Sequence, residues 1–232
     1  MNVPRRQDAD HAVTGAAAGT APGPLLGSAV AALALAALAA LVASGSDLVS
    51  MFDDRFRAGA DRAFGTSAGS WLGPDGPADA VGSALLGAGL LTALGVLLYR
   101  RRPGAALWVL VGLTVQFAAE TALETLVGRP MPLPADGSAP DPGYSFPSGH
   151  VASATLILMV LLAVLRTGTR VWWSCLGLGA ALVATVGVSR VLADAHHAAD
   201  VAGGVLLGLA VGFAVAWRVD ARSPHLSGKE TR

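Results

Sequence analysis

The segment SRVLADAHHAAD, residues 189–200, lies between two apolar runs and concentrates side chains that could perform acid–base or nucleophilic chemistry. His196 and Asp200 are four residues apart, so on a helix the carboxylate could hold one imidazole nitrogen while the other faces a substrate. The spacing of His197, three residues before Asp200, is only slightly less favourable. The non-catalytic alternative is that Arg190 and the histidines merely reach toward lipid headgroups. Asp200 argues against that alternative, because a carboxylate directed into an apolar helix needs a partner.

A second candidate site is the sequence FPSGH, residues 146–150. Pro147 and Ser148 are typical of a helix start, which would put Gly149 and His150 in the first helical turn. The free N–H groups and the positive end of the helix would then form an anion site, and a glycine lets an oxyanion approach the backbone closely. The alternative is an ordinary loop that caps a helix.

Composition indicates that a membrane surrounds these two segments. The chain has 232 residues, of which 53% are hydrophobic and 14% are charged. Six apolar runs are long enough to cross a bilayer as helices: 25–46, 79–99, 104–124, 150–166, 171–192 and 199–218. The sequence therefore predicts an all-α bundle of six transmembrane helices over residues 25–219. The first run could instead be a signal peptide.

The polar segments between and beyond these runs receive simpler interpretations. Residues 1–24 and 220–232 are predicted to be disordered tails, and 47–78 is predicted to be an amphipathic connecting helix on the membrane surface. A role for 47–78 in shaping a lipid entrance is the alternative. Cys175 is expected to be a buried apolar side chain. The zero formal charge does not suggest binding to nucleic acid, and the single cysteine does not suggest a zinc site.

The basic residues predict the orientation of the bundle, because they accumulate on the cytoplasmic side of membrane proteins. With six spans, one side carries eleven of them: Arg5, Arg6, Arg100, Arg101, Arg102, Arg166, Arg170, Arg218, Arg222, Lys229 and Arg232. The other side carries five: Arg55, Arg57, Arg62, Arg129 and Arg190. Both termini are therefore expected in the cytoplasm, and both candidate segments at the outer face. The abundance of Ala, Gly and Arg suggests a bacterial source.

PSGH followed by SRVLADAHHAAD resembles the second and third motifs of the type 2 phosphatidic acid phosphatase (PAP2) superfamily, PSGH and SR-x5-H-x3-D. Arg190, His196 and Asp200 match the third motif position by position, which selects His196 over His197. The resemblance extends over about residues 80–215. It implies the integral-membrane, PAP2-like fold with an external site.

The resemblance also implies a mechanism that needs neither a metal nor another cofactor. His196 would attack phosphorus and form a phosphohistidine, while Asp200 fixes its tautomer. His150 would protonate the leaving oxygen and then activate water. Three residues would bind the phosphate oxygens: Arg190, Ser148 and Gly149.

The first family motif, K-x6-RP, is altered in this chain. In the segment ETLVGRPMP, residues 124–132, Glu124 stands at the lysine and Met131 at the arginine. If Arg129 is taken as the motif arginine instead, the lysine position falls on Ala122. The lysine is absent in both alignments, so Arg129 is predicted to replace the lost positive charge and bind phosphate.

The favoured function is hydrolysis of a lipid-linked phosphate monoester or diphosphate at the outer face of a bacterial plasma membrane. Its partners would be the lipid substrate and the bilayer, and the oligomeric state stays open. A vanadium haloperoxidase, from the same superfamily, is disfavoured because those enzymes are soluble. A degenerate member that binds a lipid phosphate headgroup without turnover is the remaining alternative, supported by the lost lysine.

Overall fold

The computed structural model describes residues 23–65, 77–133, 143–165 and 167–220. Within these ranges the chain is helical and contains no strand, only an isolated bridge between Pro130 and Tyr144. The described ranges form seven helices: α1 Gly23–Ala43, α2 Asp47–Phe64, α3 Pro77–Tyr99, α4 Pro103–Val127, α5 Gly149–Val164, α6 Arg170–Leu192 and α7 Ala198–Asp220. The tails predicted at 1–24 and 220–232 lie almost wholly outside the described residues.

Six of the helices coincide with the six apolar runs, with ends that differ by at most three residues from the predicted ones. The additional helix, α2, falls in the segment interpreted as amphipathic. Its charged residues exclude it from spanning a bilayer, and its buried positions Val49, Asp53 and Ala60 lie against the bundle. The all-α prediction is therefore confirmed, with α2 as an element that packs on the other helices.

Five helices are long and apolar enough to cross a membrane: α1, residues 81–99 of α3, α4, α6 and residues 198–219 of α7. Their outer faces carry large apolar side chains, and Leu33, Leu91 and Leu178 are each more than 70% exposed. Such exposure is costly in water and favourable in lipid. The chain is thus a multi-pass membrane protein.

The prediction of six spans is not confirmed, because α5 has only 16 residues. At 1.5 Å per residue it is about 24 Å long, less than the roughly 30 Å of a hydrocarbon core. It ends at Val164 because Leu165 is extended. Eight of its residues are buried, so the neighbouring helices enclose most of its length.

Glycines on α7 bring α5 against it. Gly204, Gly208 and Gly212 are four residues apart and therefore share one face of α7. A Cβ atom at Gly204 would lie 2.4 Å from the Ser148 carbonyl oxygen, and one at Gly208 would lie 2.5 Å from that of Ala152. Small residues at this spacing allow two membrane helices to approach closely. The same contact sets the start of α5 beside the start of α7.

The other end of the bundle is lined by arginines. The Nη1 of Arg100 donates to the Val164 carbonyl at 2.9 Å, and the Nη2 of Arg102 donates to the Val219 carbonyl at 3.0 Å. These carbonyls lie at the carboxyl ends of α5 and α7, where cations are favourable. Since α7 has 23 residues, its two ends are roughly 33 Å apart. The arginines and the start of α7 therefore lie on opposite sides of the bundle.

Candidate active site

A cavity of about 430 Å³ lies where α5 begins, and it brings together residues from both sequence motifs. His150, Gly149 and Ser153 line it from α5, and His196 lines it from the segment between α6 and α7. The cavity is also lined by residues of α3, α4 and the segments that follow α4: Ser83, Leu86, Phe117, Glu120, Glu124, Met131 and Tyr144. Two histidines from segments that are distant in sequence thus face one space.

The ring of His196 is oriented by a backbone carbonyl. Its Nδ1 lies 2.8 Å from the carbonyl oxygen of Ser145. A carbonyl can only accept a hydrogen bond, so Nδ1 carries the proton and Nε2 of the neutral ring keeps its lone pair. Burial lowers the pKa of His196 and outweighs the opposing influence of Asp200 and the Ser145 hydrogen bond. Both effects favour a neutral imidazole with a nucleophilic Nε2.

Asp200 does not occupy the position predicted for it beside His196. Its Oδ2 accepts the backbone N–H of His197 at 2.7 Å and lies 3.1 Å from Nδ1 of that ring. Its Oδ1 accepts a hydrogen bond from Arg129 at 2.6 Å. In this geometry the Ser145 carbonyl, and not Asp200, contacts Nδ1 of His196. The physical reason is local. Asp200 is the third residue of α7, and a carboxylate at that position can accept the free N–H group of the residue just before the helix, which is His197.

Arg129 is also placed differently from the prediction. Gly128, with φ of 62°, ends α4 in the left-handed conformation, and the chain then turns Arg129 away from the cavity. Its guanidinium lies between the carboxylates of Asp53 and Asp200. Burial tends to lower the pKa of Arg129, but the two carboxylates raise it above its ordinary value. Arg129, which was predicted to bind phosphate, thus does not line the cavity in this structure, and two buried carboxylates neutralise it.

The remaining predicted residues surround the cavity. His150 is exposed and lines it from the first turn of α5. An adjoining recess shares Ser83, Leu86 and His150 with the cavity and is also lined by the buried Arg190. Ser148 is the N-cap of α5, but within the described part of the chain its fully buried hydroxyl has no hydrogen-bond partner. Ser148 does not line the cavity itself, although it lies next to Gly149, which does.

Three further lining residues, Glu120, Glu124 and Met131, form the part of the cavity here named the acidic wall. The Glu120 carboxylate packs directly on Gly149, where a Cβ atom would lie 1.9 Å from its Oε1. The backbone position predicted to receive an oxyanion thus has a carboxylate beside it. Both positions at which the family motif has cations, Glu124 and Met131, line the cavity without a positive charge.

Four residues that lie at or near the site were not predicted from the sequence: Glu120, Asp53, Arg57 and Ser145. A signal for Glu120 exists, since an ionisable residue inside a membrane span marks function by default and Glu120 lies one turn before Glu124. Asp53 and Arg57 are likewise one helical turn apart on α2, so their spacing is a similar signal. Ser145 contributes through its backbone, and no residue type marks such a contribution.

Both the sequence and the fold of this chain are similar to those of known proteins. A sequence model described as the PAP2 superfamily matches residues 78–224. The fold is similar to a structure described as "the first transmembrane PAP2 type phosphatidylglycerolphosphate phosphatase from Bacillus subtilis". Its TM-score is 0.65 at 21% sequence identity, with coverage of 86% of this chain and 98% of that chain. No curated protein matches the chain.

The family match extends from the start of α3 beyond the end of α7 and includes every residue that lines the cavity. It therefore covers more than half of the sequence and all of the candidate site, and the chain belongs to the PAP2 superfamily.

Proposed function

We propose that this protein is a lipid phosphatase that hydrolyses a lipid-linked phosphate monoester or diphosphate through a phosphohistidine. One observation carries the proposal: His150 and His196 line the same cavity, and the Ser145 carbonyl leaves Nε2 of His196 unprotonated. An imidazole nitrogen with a free lone pair is a nucleophile, and a second histidine beside it can move the proton that the reaction requires.

In the first step the His196 Nε2 forms a bond to phosphorus while the bond from phosphorus to the lipid oxygen breaks. His150, in its protonated form, gives its proton to the departing oxygen. In the second step His150 takes a proton from water, whose oxygen attacks phosphorus and displaces His196. Arg190, the Ser148 hydroxyl and the Gly149 N–H stabilise the charge on the phosphoryl oxygens. No step needs a metal or another cofactor.

The acidic wall supports a second candidate, which is a protein that binds a lipid phosphate headgroup without turnover. Glu120 and Glu124 face the cavity where a phosphate dianion would need positive charge. One measurement distinguishes the two candidate functions. Purified protein in EDTA, with phosphatidic acid, phosphatidylglycerol phosphate and polyprenyl phosphates or diphosphates in detergent, releases inorganic phosphate only if the first is correct. Binding of the same lipids without release in every case would favour the second.

We also propose that α5 acts as a sixth, shortened span in a bacterial plasma membrane and that the site opens to the outside. Support comes from the arginines at the opposite end of α5 and α7, where positive charge indicates the cytoplasm. In a Cys175→Ala background, Ser50→Cys on the exposed part of α2 should react with an impermeant thiol reagent in intact cells. Thr167→Cys, at the arginine end, should react only after permeabilisation. The reverse pattern would refute this orientation.

A further inference from the structure

The inner face of α2 contacts the segment that carries His196. Asp53 and Arg57 are one helical turn apart and point to the same side. The Oδ1 of Asp53 accepts the backbone N–H of Ala199 at 2.7 Å. The Nη1 of Arg57 donates to the Val191 carbonyl at 2.7 Å and also pairs with Asp194. The two ends of the loop between α6 and α7 are thus held by one helix that lies outside the membrane spans.

Asp53 also reaches the segment after α4. Its second oxygen pairs with Nη2 of Arg129, whose Nη1 pairs with Asp200 at 2.6 Å. The two carboxyl side chains are 8% and 0% exposed, and that of Arg129 is 15% exposed. Charges this poorly solvated depend on one another, because removing one leaves the others uncompensated. Asp53 therefore fixes where Arg129 lies.

The backbone continues this chain of contacts to the catalytic ring. The carbonyl of Arg129 accepts the Ser145 N–H at 2.8 Å, and the carbonyl of Pro130 accepts the Ser145 hydroxyl at 3.0 Å. The Ser145 carbonyl in turn accepts Nδ1–H of His196. A series of hydrogen bonds, joined by the covalent frames of Arg129 and Ser145, therefore connects Asp53 to His196.

We propose that Asp53 is a positioning residue that acts on His196 through this series, and that Arg129 serves as its connector rather than as a phosphate ligand. By holding Arg129, Asp53 keeps the Ser145 carbonyl where it selects the Nδ1–H tautomer and leaves Nε2 free. By holding the Ala199 N–H, it keeps the start of α7 beside that carbonyl. The kinetic part of this inference rests on the proposed phosphatase function, whereas the tautomer can be tested without turnover.

The kinetic test compares Asp53→Asn with Asp54→Asn, a matched control at the neighbouring, exposed carboxylate of α2. Asp53→Asn should lower kcat at least about 10-fold, with KM within about 2-fold, because phosphate is bound by other residues. Asp53→Glu, which keeps the charge, should recover part of kcat, and Asp54→Asn should match the wild type. A loss of kcat no greater than the loss of folded protein would overturn the proposal. So would a rise in KM at unchanged kcat.

The second readout is the His196 tautomer, measured by nitrogen NMR of protein labelled with ¹⁵N-histidine and assigned with His196→Gln. The wild type should show one neutral form with the proton on Nδ1, and Asp53→Asn should show a mixture of both forms. An unchanged Nδ1–H form in folded Asp53→Asn protein would overturn the proposal. If the wild type hydrolyses none of the lipid phosphates, the proposed function fails, and this measurement still decides the role of Asp53.

Discussion

The two sides of the cavity differ in how far they follow the family pattern. The side named here the histidine wall, formed by His150 and His196, keeps the residues of the second and third motifs. The acidic wall lines the cavity with the carboxylates of Glu120 and Glu124, and in the alignment that puts Glu124 and Met131 at the first motif it has neither cation of that motif. The groups that would make and break bonds to phosphorus are thus present, and those that would neutralise the phosphate on the other side are not. In this chain the residues for bond making and the residues for charge neutralisation have thus changed to different extents.

The difference also concerns how each wall is supported. The histidine wall is anchored by backbone contacts, since His196 binds the Ser145 carbonyl and the Ser148 N–H donates to the Asp200 carbonyl at 3.0 Å. The acidic wall is formed by side chains, those of Glu120 and Glu124 one turn apart on α4 and that of Met131 in the segment after it. Sequence change is therefore less costly on the acidic wall.

The largest expected effect comes from removing the nucleophile of the histidine wall. His196→Ala should lower kcat by at least about 10³-fold, because it removes the nitrogen that would form the covalent intermediate, while His150 is needed to move the proton. His197→Ala is the matched control and should keep most activity, since His197 does not line the cavity and Asp200 retains Arg129. Phosphate release from each lipid substrate is the measurement. Equal losses in the two variants would remove the distinction between the histidines.

The second effect tests whether Arg129 belongs to either wall. Arg129→Ala should reduce the free energy of unfolding by about 3–5 kcal/mol, because Asp53 and Asp200 would be left as uncompensated buried charges. Folded variant protein should bind vanadate as the wild type does. Arg129→Lys should be destabilised less, and Arg55→Ala on the exposed face of α2 should change neither property. Unchanged stability with weaker vanadate binding would return Arg129 to the phosphate site.

The third prediction converts the acidic wall to the family pattern. Glu124→Lys combined with Met131→Arg should tighten vanadate binding at least about 10-fold, since one charge-assisted contact contributes about 1.5–3 kcal/mol. Asp54→Lys with Met51→Arg adds the same charge at exposed positions of α2 and should have little effect. Calorimetry in detergent measures both. If the two double variants bind alike, the acidic wall does not face the bound oxyanion.

The smallest expected effect is on the pH dependence of activity, which depends on His196 in the histidine wall. Burial lowers the pKa of His196; of the nearby charges, Asp200 on α7 raises it, and Arg190 on α6 and His150 on α5 lower it. The nucleophile must be neutral, so activity is present above this pKa and is lost as the pH falls through it. The acid limb of kcat/KM should therefore lie below the ordinary histidine value of about 6.5. A limb at or above that value would show that His196 is not the buried nucleophile.

Much of the fold followed from local patterns in the sequence. The apolar runs predicted six helices with nearly correct ends, because helix length and hydrophobicity are set within each segment. Pro147, Ser148 and Gly149 predicted the start of α5, and the spacing of Arg190, His196 and Asp200 identified the family. The run 150–166 was already the shortest of the six predicted, and α5 ends two residues before its end because Leu165 is extended.

Contacts between segments that are far apart in the chain were decided only by the tertiary structure. Asp53 lies 76 residues from Arg129, and Ser145 lies 51 residues from His196. Whether such groups meet depends on the rotation and packing of whole helices, which local spacing does not specify. Spacing suggested that Asp200 would face His196, but the carboxylate instead caps its own helix and binds Arg129. The sequence by itself thus predicted the family and the candidate residues for the chemistry. Tertiary packing decided which of them meet, because each has several possible partners and only the folded bundle selects among them.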